Sequence, residues 1–336
     1  MFLLGSGRPG GRPPRARPLG HAAVASLVLL GATASGTVYA DARAHGADGL
    51  VSSSASPATT ATTEATVEAA TAGGPASPAD PDALLAKALR DVPVEAGARL
   101  SVAVLDTESG DGAGYGDGAF DTASIVKADI LAALLLRAQD AGRGLTAQEK
   151  AYAAAMIRDS DNASATALWE AIGRAPGLAA ANARLGLDAT EGGDGTLWGL
   201  TRTTAADQLT LLRRIFEDGD EGEGGDEDGA GDGGGGGPVL DADSRAYLRG
   251  LMGEIAEGQD WGVSAAGPSG YALKNGWLPR STTGLWVVNS VGRVVADGRA
   301  YLVAVLSDGN STKESGIATV EAAAKAAVSV FRTAAP

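Results

Sequence analysis

An α+β fold is predicted: one antiparallel five-stranded sheet, flanked by helices from both ends of the folded region, with an all-helical lobe beside it. Three observations predict it. β-rich apolar runs occur as a pair near residue 100 and as a trio after residue 270. Between them lies a long stretch of helical periodicity. A short helical segment precedes the pair and a longer one follows the trio. Strands from both ends of the chain can then join one sheet, with the intervening helices as a second lobe and a cleft between the two.

The elements follow in order. PDALLAKAL is a short helix opened by Asp80 or Asp82 beside a proline. RLSVAVLD, residues 99–106, alternates and is β-rich. A Gly/Asp-rich turn leads to a partner strand around AGYG. From 124 to about 216 the pattern is helical, through SIVKADILAALLLRAQ, AQEKAYAAAMI, ASATALWEAI, GLAAANARL and TAADQLTLLRRIF. The run EDGDEGEGGDEDGAGDGGGGGP offers no apolar surface to bury and repels itself. Residues 217–237 are therefore expected to be a disordered acidic, glycine-rich insertion. A calcium loop is disfavoured, because the acids lack the fixed spacing of an EF-hand. SRAYLRGLMGEI resumes helical spacing. YALKNG (271–276), LWVVNSVG (285–292) and AYLVAVLS (300–307) are the later strands, and a final helix covers roughly 314–332.

The N-terminal part reads as an address rather than as fold. Arg8, Arg12, Arg15 and Arg17 precede the apolar run AAVASLVLLGATASGTVYA, and small residues after it allow cleavage at Ala40 or Ala44. Residues 1–44 are thus a signal peptide or, since the run is about as long as a membrane span, an uncleaved anchor. Residues 45–80 form an Ala/Thr/Ser/Pro-rich disordered tether, and 81–336 the folded domain. Either reading places the domain outside the cytoplasmic membrane, secreted or anchored to its outer face. Membrane contact is confined to the N-terminal segment, and a monomer is expected.

Composition removes several chemistries. The formal charge is −14, but nine acids sit in 217–232, leaving roughly −5 elsewhere. No basic face is apparent, so nucleic acid is not an expected partner. The chain has no cysteine, and its two histidines are His21 and His45, both ahead of the domain. Ser-His-Asp triads, Cys-His pairs and histidine-bound zinc are therefore excluded there. A hydrolase built on this chain must activate its nucleophile with lysine, a carboxylate or tyrosine. No cofactor and no metal is expected. Lysines are scarce, six against 21 arginines, so each lysine position carries information.

Three short motifs use these residues. In T-A-S-I-V-K, Ser124 and Lys127 stand at i and i+3, which share one helix face. Desolvation at a buried helix start lowers a lysine's pKa and lets it accept the serine proton. The positive helix N-terminus favours a neutral amine and a developing oxyanion. Ser160-Asp161-Asn162 falls between two helices; Ser160 or Asp161 would cap the second. Functionally, Ser160 would relay a proton to a leaving group and Asn162 would hold a substrate amide. Lys274-Asn275-Gly276 ends a strand ahead of Trp277. Lys274 would supply positive charge for a substrate carboxylate and for the Ser160 hydroxyl, and Gly276 would leave room for substrate along the strand edge. The N–H groups of Trp277 and Ser124 would form an oxyanion hole.

These motifs, in this order and context, resemble the penicillin-recognising serine enzymes, and most of all the class A β-lactamase-like family. The resemblance spans roughly 82–334 and includes SVAVLDTESG, TRTTAADQLTLL and the closing helix. It implies the β-lactamase/transpeptidase-like fold and an acyl-serine hydrolase acting on a β-lactam or a peptidoglycan peptide. It implies Ser124, Lys127, Ser160 and Lys274 as catalytic residues, and Asn162, Asn275, Gly276 and Trp277 as substrate-binding ones.

The sequence departs from the family in two places. The family's deacylating glutamate stands in an E-x-x-L-N setting, whereas LGLDATEGGDGTLWGLTRTT offers only Glu191 as a possible base, with Asp188 and Asp194 nearby. The third motif has Asn275 in place of the usual threonine. Three readings follow: a secreted β-lactamase-like hydrolase, a penicillin-binding D-alanyl-D-alanine peptidase with slow deacylation, or a catalytically silent cell-wall-binding domain. Trp169, Trp198, Trp261 and Trp286 are expected in the core or the lobe interface, with Trp198 the best placed to line the cleft. Arg202 is expected to pair with an acid that pins the loop, and Tyr115 to lie in the core or on an edge strand.

Overall fold

A computed structural model describes residues 80–217, 239–268 and 270–332. The expectations for residues 1–44, for the tether up to residue 79 and for nearly all of the acidic insertion fall outside these. Asp80, assigned by sequence to the tether, is already part of the fold. It caps helix α1 (Pro81–Ala88) by accepting the Asp82 N–H at 3.0 Å, with Pro81 at the first helical position, where its missing N–H costs nothing.

The strands are β1 (Arg99–Asp106), β2 (Gly112–Tyr115), β3 (Phe120–Asp121), β4 (Arg202–Thr203), β5 (Tyr271–Pro279), β6 (Trp286–Ala296) and β7 (Arg299–Asn310). Five of them form an antiparallel sheet in the order β2-β1-β7-β6-β5, so β7 sits centrally and β5 is an edge. The first pair and the last trio thus share one sheet. The helical block is α2 (Val126–Asp140), α3 (Ala147–Arg158), α4 (Asn162–Ile172), α5 (Arg174–Leu185), α6 (Ala205–Phe216) and α7 (Ala242–Gly253). Helix α8 (Lys313–Arg332) closes the domain.

The sheet is covered on both faces, and the side-chain alternation of its strands shows how. Tyr301, Val303 and Val305 of β7, with Val102 and Val104 of β1, pack toward α1 and α8. Leu302, Ala304 and Leu306, with Ala103 and Leu105, pack toward the helical block. Helix α2 runs through the middle of that block, and ILAALLL is apolar on every side because it is buried on every side.

The helical stretch is less continuous than its periodicity predicts. Residues 186–201 are largely irregular, and β4 pairs with β3 in a small second sheet. Side chains hold this loop: Trp169 Nε1 donates to Gly195 O at 2.8 Å, and Thr201 Oγ1 accepts the Gly193 N–H at 3.2 Å. Gly193 is required there, since a Cβ would stand 2.1 Å from Leu197 O.

Candidate active site

Ser124 does not begin the α-helix, as its sequence suggests. It sits in a 3₁₀ turn, Ala123–Ile125, that feeds α2. Ala123 takes a left-handed backbone angle, φ +48°, which side-chain-bearing residues adopt only when the surroundings enforce it. Those surroundings are visible. The Thr122 N–H donates to Thr201 O at 2.8 Å, and Asn289 Nδ2 donates to Asp121 O and Thr122 O at 2.9 and 3.0 Å. From the edge of the sheet, Gly276 presses against the same turn: a Cβ there would stand 2.7 Å from Thr122 O and 2.8 Å from Ser124 N and Ile125 N. The sequence reading had this glycine make room for substrate; the structure uses it to let β5 backbone touch the Ser124 turn.

Lys127, in the first turn of α2, is fully buried. Its Nζ donates to Ser160 O at 2.6 Å, Asn162 Oδ1 at 2.8 Å and Ser160 Oγ at 3.0 Å. The Trp198 ring lies 4.9 Å from the same nitrogen, while its indole N–H donates to Thr166 Oγ1 at 3.1 Å. Trp198 therefore does line the Lys127 side of the cleft. Burial pulls Lys127 down to about 7, against the charge of Asp161, which acts to raise it. Among the described residues no hydrogen bond joins Lys127 Nζ to Ser124 Oγ. The lysine amine is turned instead to the three acceptors of Ser160 and Asn162.

Ser160 also takes a left-handed φ, +56°, between α3 and α4. Asp161, not Ser160, caps α4, accepting the Ser164 N–H at 2.7 Å. Ser160 is left to point at the lysines. Lys274, fully buried on β5, donates to Ser160 Oγ at 3.1 Å and to Asn275 O at 3.0 Å. Burial first, and the neighbouring Lys127 second, push Lys274 well below the ordinary lysine range. The fixed positive charge assigned to Lys274 from sequence is thus opposed by its surroundings in the unliganded protein.

Other sequence candidates lie differently. Asn275 is fully buried, and its Nδ2 donates to Gln259 O and Trp261 O at 2.8 and 2.9 Å, so its amide nitrogen is spent on framework, while its buried Oδ1 has no partner among the described residues. Trp277 is half-buried, edge-on to Trp261 at 5.8 Å, with Lys313 Nζ 4.2 Å above its ring. Asn162 is exposed, with its side-chain oxygen on Lys127. Glu191 is exposed and joined to Arg202 by two backbone hydrogen bonds of 2.8 Å. Its carboxylate makes no hydrogen bond to Lys127, Ser160 or Lys274 among the described residues. The Arg202 guanidinium donates to Ala119 O at 2.7 Å instead of pairing with the expected acid. Sequence reasoning missed Asn289 and Thr201, whose polar groups shape the Ser124 turn; an asparagine inside an apolar strand was the available signal.

No protein-family model and no curated protein sequence matches this chain. Solved structures do. A mutant of PBP-A, as an acyl-enzyme complex with penicillin G, aligns with TM-score 0.60 at 19% identity, covering 75% of this chain and 97% of that one. A class A β-lactamase from Bacteroides cellulosilyticus aligns with TM-score 0.60 at 16% identity, covering 75% and 99%. A class A β-lactamase from Mycobacterium abscessus aligns with TM-score 0.57 at 22% identity, covering 75% and 100%. At these identities the likeness is one of fold: the chain has the β-lactamase/transpeptidase fold.

Proposed function

We propose that this protein is a β-lactamase-like serine hydrolase that opens a β-lactam or D-alanyl amide by forming an acyl-enzyme on Ser124, and that this acyl-enzyme decays slowly. The observation that carries the reading is the convergence of Lys127 and Lys274 on Ser160 Oγ, beside the strained turn that holds Ser124.

The chemistry follows from hydrogen-bond capacity. A lysine ammonium has three donors, and Lys127 has three acceptors around it. Burial opposes that charged form and brings the group to about 7, so near neutrality a large fraction is a neutral amine with a free lone pair. That lone pair accepts the Ser124 proton as substrate closes the gap, since catalytic hydrogen bonds of this kind tighten in the substrate complex. A serine hydroxyl has two lone pairs and one proton. Both lone pairs of Ser160 face lysine donors, which leaves its proton for the leaving nitrogen, and the proton that Lys127 took from Ser124 replaces it. Gly276 brings β5 against Ser124 N, so the next N–H, that of Trp277, joins the N–H of Ser124 as an oxyanion donor.

Hydrolysis of the ester needs a base for water. Among the described residues the Glu191 carboxylate makes no hydrogen bond to Lys127, Ser160 or Lys274, whose side chains bond to one another, to Asn162 and to Asn275. This supports the slow-turnover form over an efficient β-lactamase. Secretion through the arginine-led apolar segment at residues 1–44 completes the proposal and puts the site where peptidoglycan peptides and β-lactams are found. Nitrocefin turnover tests it. A stoichiometric burst followed by slow release is expected, sustained rapid turnover supports an efficient β-lactamase, and no burst at all supports a silent wall-binding domain.

A further inference from the structure

Two positions after Lys127, inside the apolar core of α2, stands a carboxyl group that the reaction above does not use. Asp129 is fully buried. Among the described residues its side-chain partner is Gln208 on α6, whose Nε2 donates to Asp129 Oδ1 at 3.2 Å and to Thr203 Oγ1 at 3.2 Å. The chain of hydrogen bonds continues from Thr203 to Thr190, whose hydroxyl oxygens are 2.8 Å apart, and from Thr190 Oγ1 to Asp207 Oδ2 at 2.6 Å. Asp207 Oδ2 also accepts the Ala189 N–H at 2.9 Å. This buried polar line runs from α2, the helix that follows the Ser124 turn, into both ends of the 187–203 loop. The same loop carries Trp198 against Lys127 and the Thr201 carbonyl that receives the Thr122 N–H.

Two atoms of the line have no partner. Asp129 Oδ2 and Gln208 Oε1 are both buried and both unpaired, and they belong to side chains already joined at their other ends. With Asp129 ionised, both are acceptors facing a shortage of donors. A single proton on Asp129 Oδ2 supplies the missing donor and turns the two side chains into a closed carboxylic acid–amide pair. Burial acts the same way, raising Asp129 to about 7, with the nearby Asp207 charge adding to the rise and the Gln208 bond opposing it. Helix α2 packs on α3, α4, α5, α7 and β5 and reaches α6 through Gln208; the charge that acts on Asp129 is that of Asp207 on α6.

We propose that Asp129 is carried as a neutral carboxylic acid paired with Gln208, and that this pair is the latch fastening the 187–203 loop to the nucleophile helix. Asp129 is then a positioning residue for Ser124 and Lys127, acting through Gln208, Thr203 and the loop; this role rests on the acyl-serine reading, whereas the latch itself does not. Ionisation places a second negative charge near Asp207, opens the pair, and loosens the loop over Lys127.

The full chain, Asp129→Asn and Asp129→Ala test this with three readouts. Asparagine keeps both halves of the pair, an N–H for Gln208 Oε1 and an oxygen for Nε2. The wild type is expected to show an infrared carbonyl band of an un-ionised carboxylic acid near neutral pH, missing in Asp129→Asn. Amide exchange at Ala189 and Thr190 is expected to match in wild type and Asp129→Asn below pH 7 and to lose protection in wild type as pH rises through about 7. Asp129→Ala is expected to lose that protection at every pH. Acylation by penicillin is expected to decline on the alkaline side in wild type only. Absence of the acid band, or exchange in Asp129→Ala equal to that of wild type, overturns the latch. If none of the three proteins is acylated, the acyl-serine reading fails, while the band and the exchange still decide the latch.

Discussion

Lys127 and Lys274 present their amines to one oxygen, Ser160 Oγ, at 3.0 and 3.1 Å. Two ammonium groups cannot both be accommodated cheaply in a buried space this small, and each is held below its ordinary range. The site therefore disfavours positive charge on both lysines. That single fact organises the behaviour expected of it.

Binding of an anionic ligand should recharge the lysines. A carboxylate brought near Lys274 opposes both the burial and the repulsion from Lys127, so its pKa rises on binding and a proton is taken up from solvent. Calorimetric titration with a carboxylate-bearing β-lactam, repeated in buffers of different ionisation enthalpy, should show net proton uptake near neutral pH. Lys274→Met should abolish it.

Acylation should follow the free-base form of Lys127. The amine must lose its proton to act, so in Asp129→Asn, which lacks the alkaline decline, the rate should rise with pH and reach half its plateau near 7. Asp161 is the carboxylate that raises Lys127. Asp161→Asn removes that charge while still capping α4, so stability should change little and the midpoint should move to lower pH. A pH–rate profile of stopped-flow acylation reads both.

Gly276→Ala should damage fold and site together. Its Cβ would stand within 2.8 Å of three backbone atoms of the Ser124 turn, where no flexible side chain can yield. Overpacking of this kind costs about 1–3 kcal/mol, and the displaced turn should slow acylation. Gly250→Ala on α7, where an added Cβ meets nothing within 4 Å, is the control and should be neutral or stabilising by up to about 1 kcal/mol. Chemical denaturation of both variants measures the difference.

Asn275→Ala separates a framework role from a substrate role. Loss of its amide leaves the Gln259 and Trp261 carbonyls without their donor, an expected cost of about 1–3 kcal/mol. A direct substrate contact would instead weaken ligand binding and leave the denaturation midpoint in place.

Much of this was legible in the amino-acid order, and the reasons for the rest are physical. Strands β1 and β5–β7 announced themselves because β-rich runs such as AYLVAVLS are bounded by turn residues, and the central helix because its apolar run has no polar face. The meeting of Lys127, Ser160 and Lys274 was legible because lysine is scarce and each one stood in a motif. What failed were inferences needing exact backbone geometry. The spacing of Ser124 and Lys127 implied a direct contact, whereas the lysine amine is taken up by acceptors on Ser160 and Asn162, 33 and 35 residues away. Gly276 was read as space for substrate because sequence cannot show that a turn 150 residues earlier packs against it. The loop at 186–201 was hidden because glycine contacts and single hydrogen bonds, not periodicity, build it. Asp129 did leave a trace, an acid within ILAALLL's helix, but its meaning depends on Gln208, 79 residues away.

The central claim is that Ser124 becomes acylated and holds the acyl group. Intact-mass measurement of the protein mixed with penicillin, followed over time, tests it most directly. The account predicts one added penicillin mass that forms promptly, persists through many turnover times of an efficient β-lactamase, and is missing in Ser124→Ala. An unmodified mass at every time point, or an adduct that survives Ser124→Ala, would contradict it.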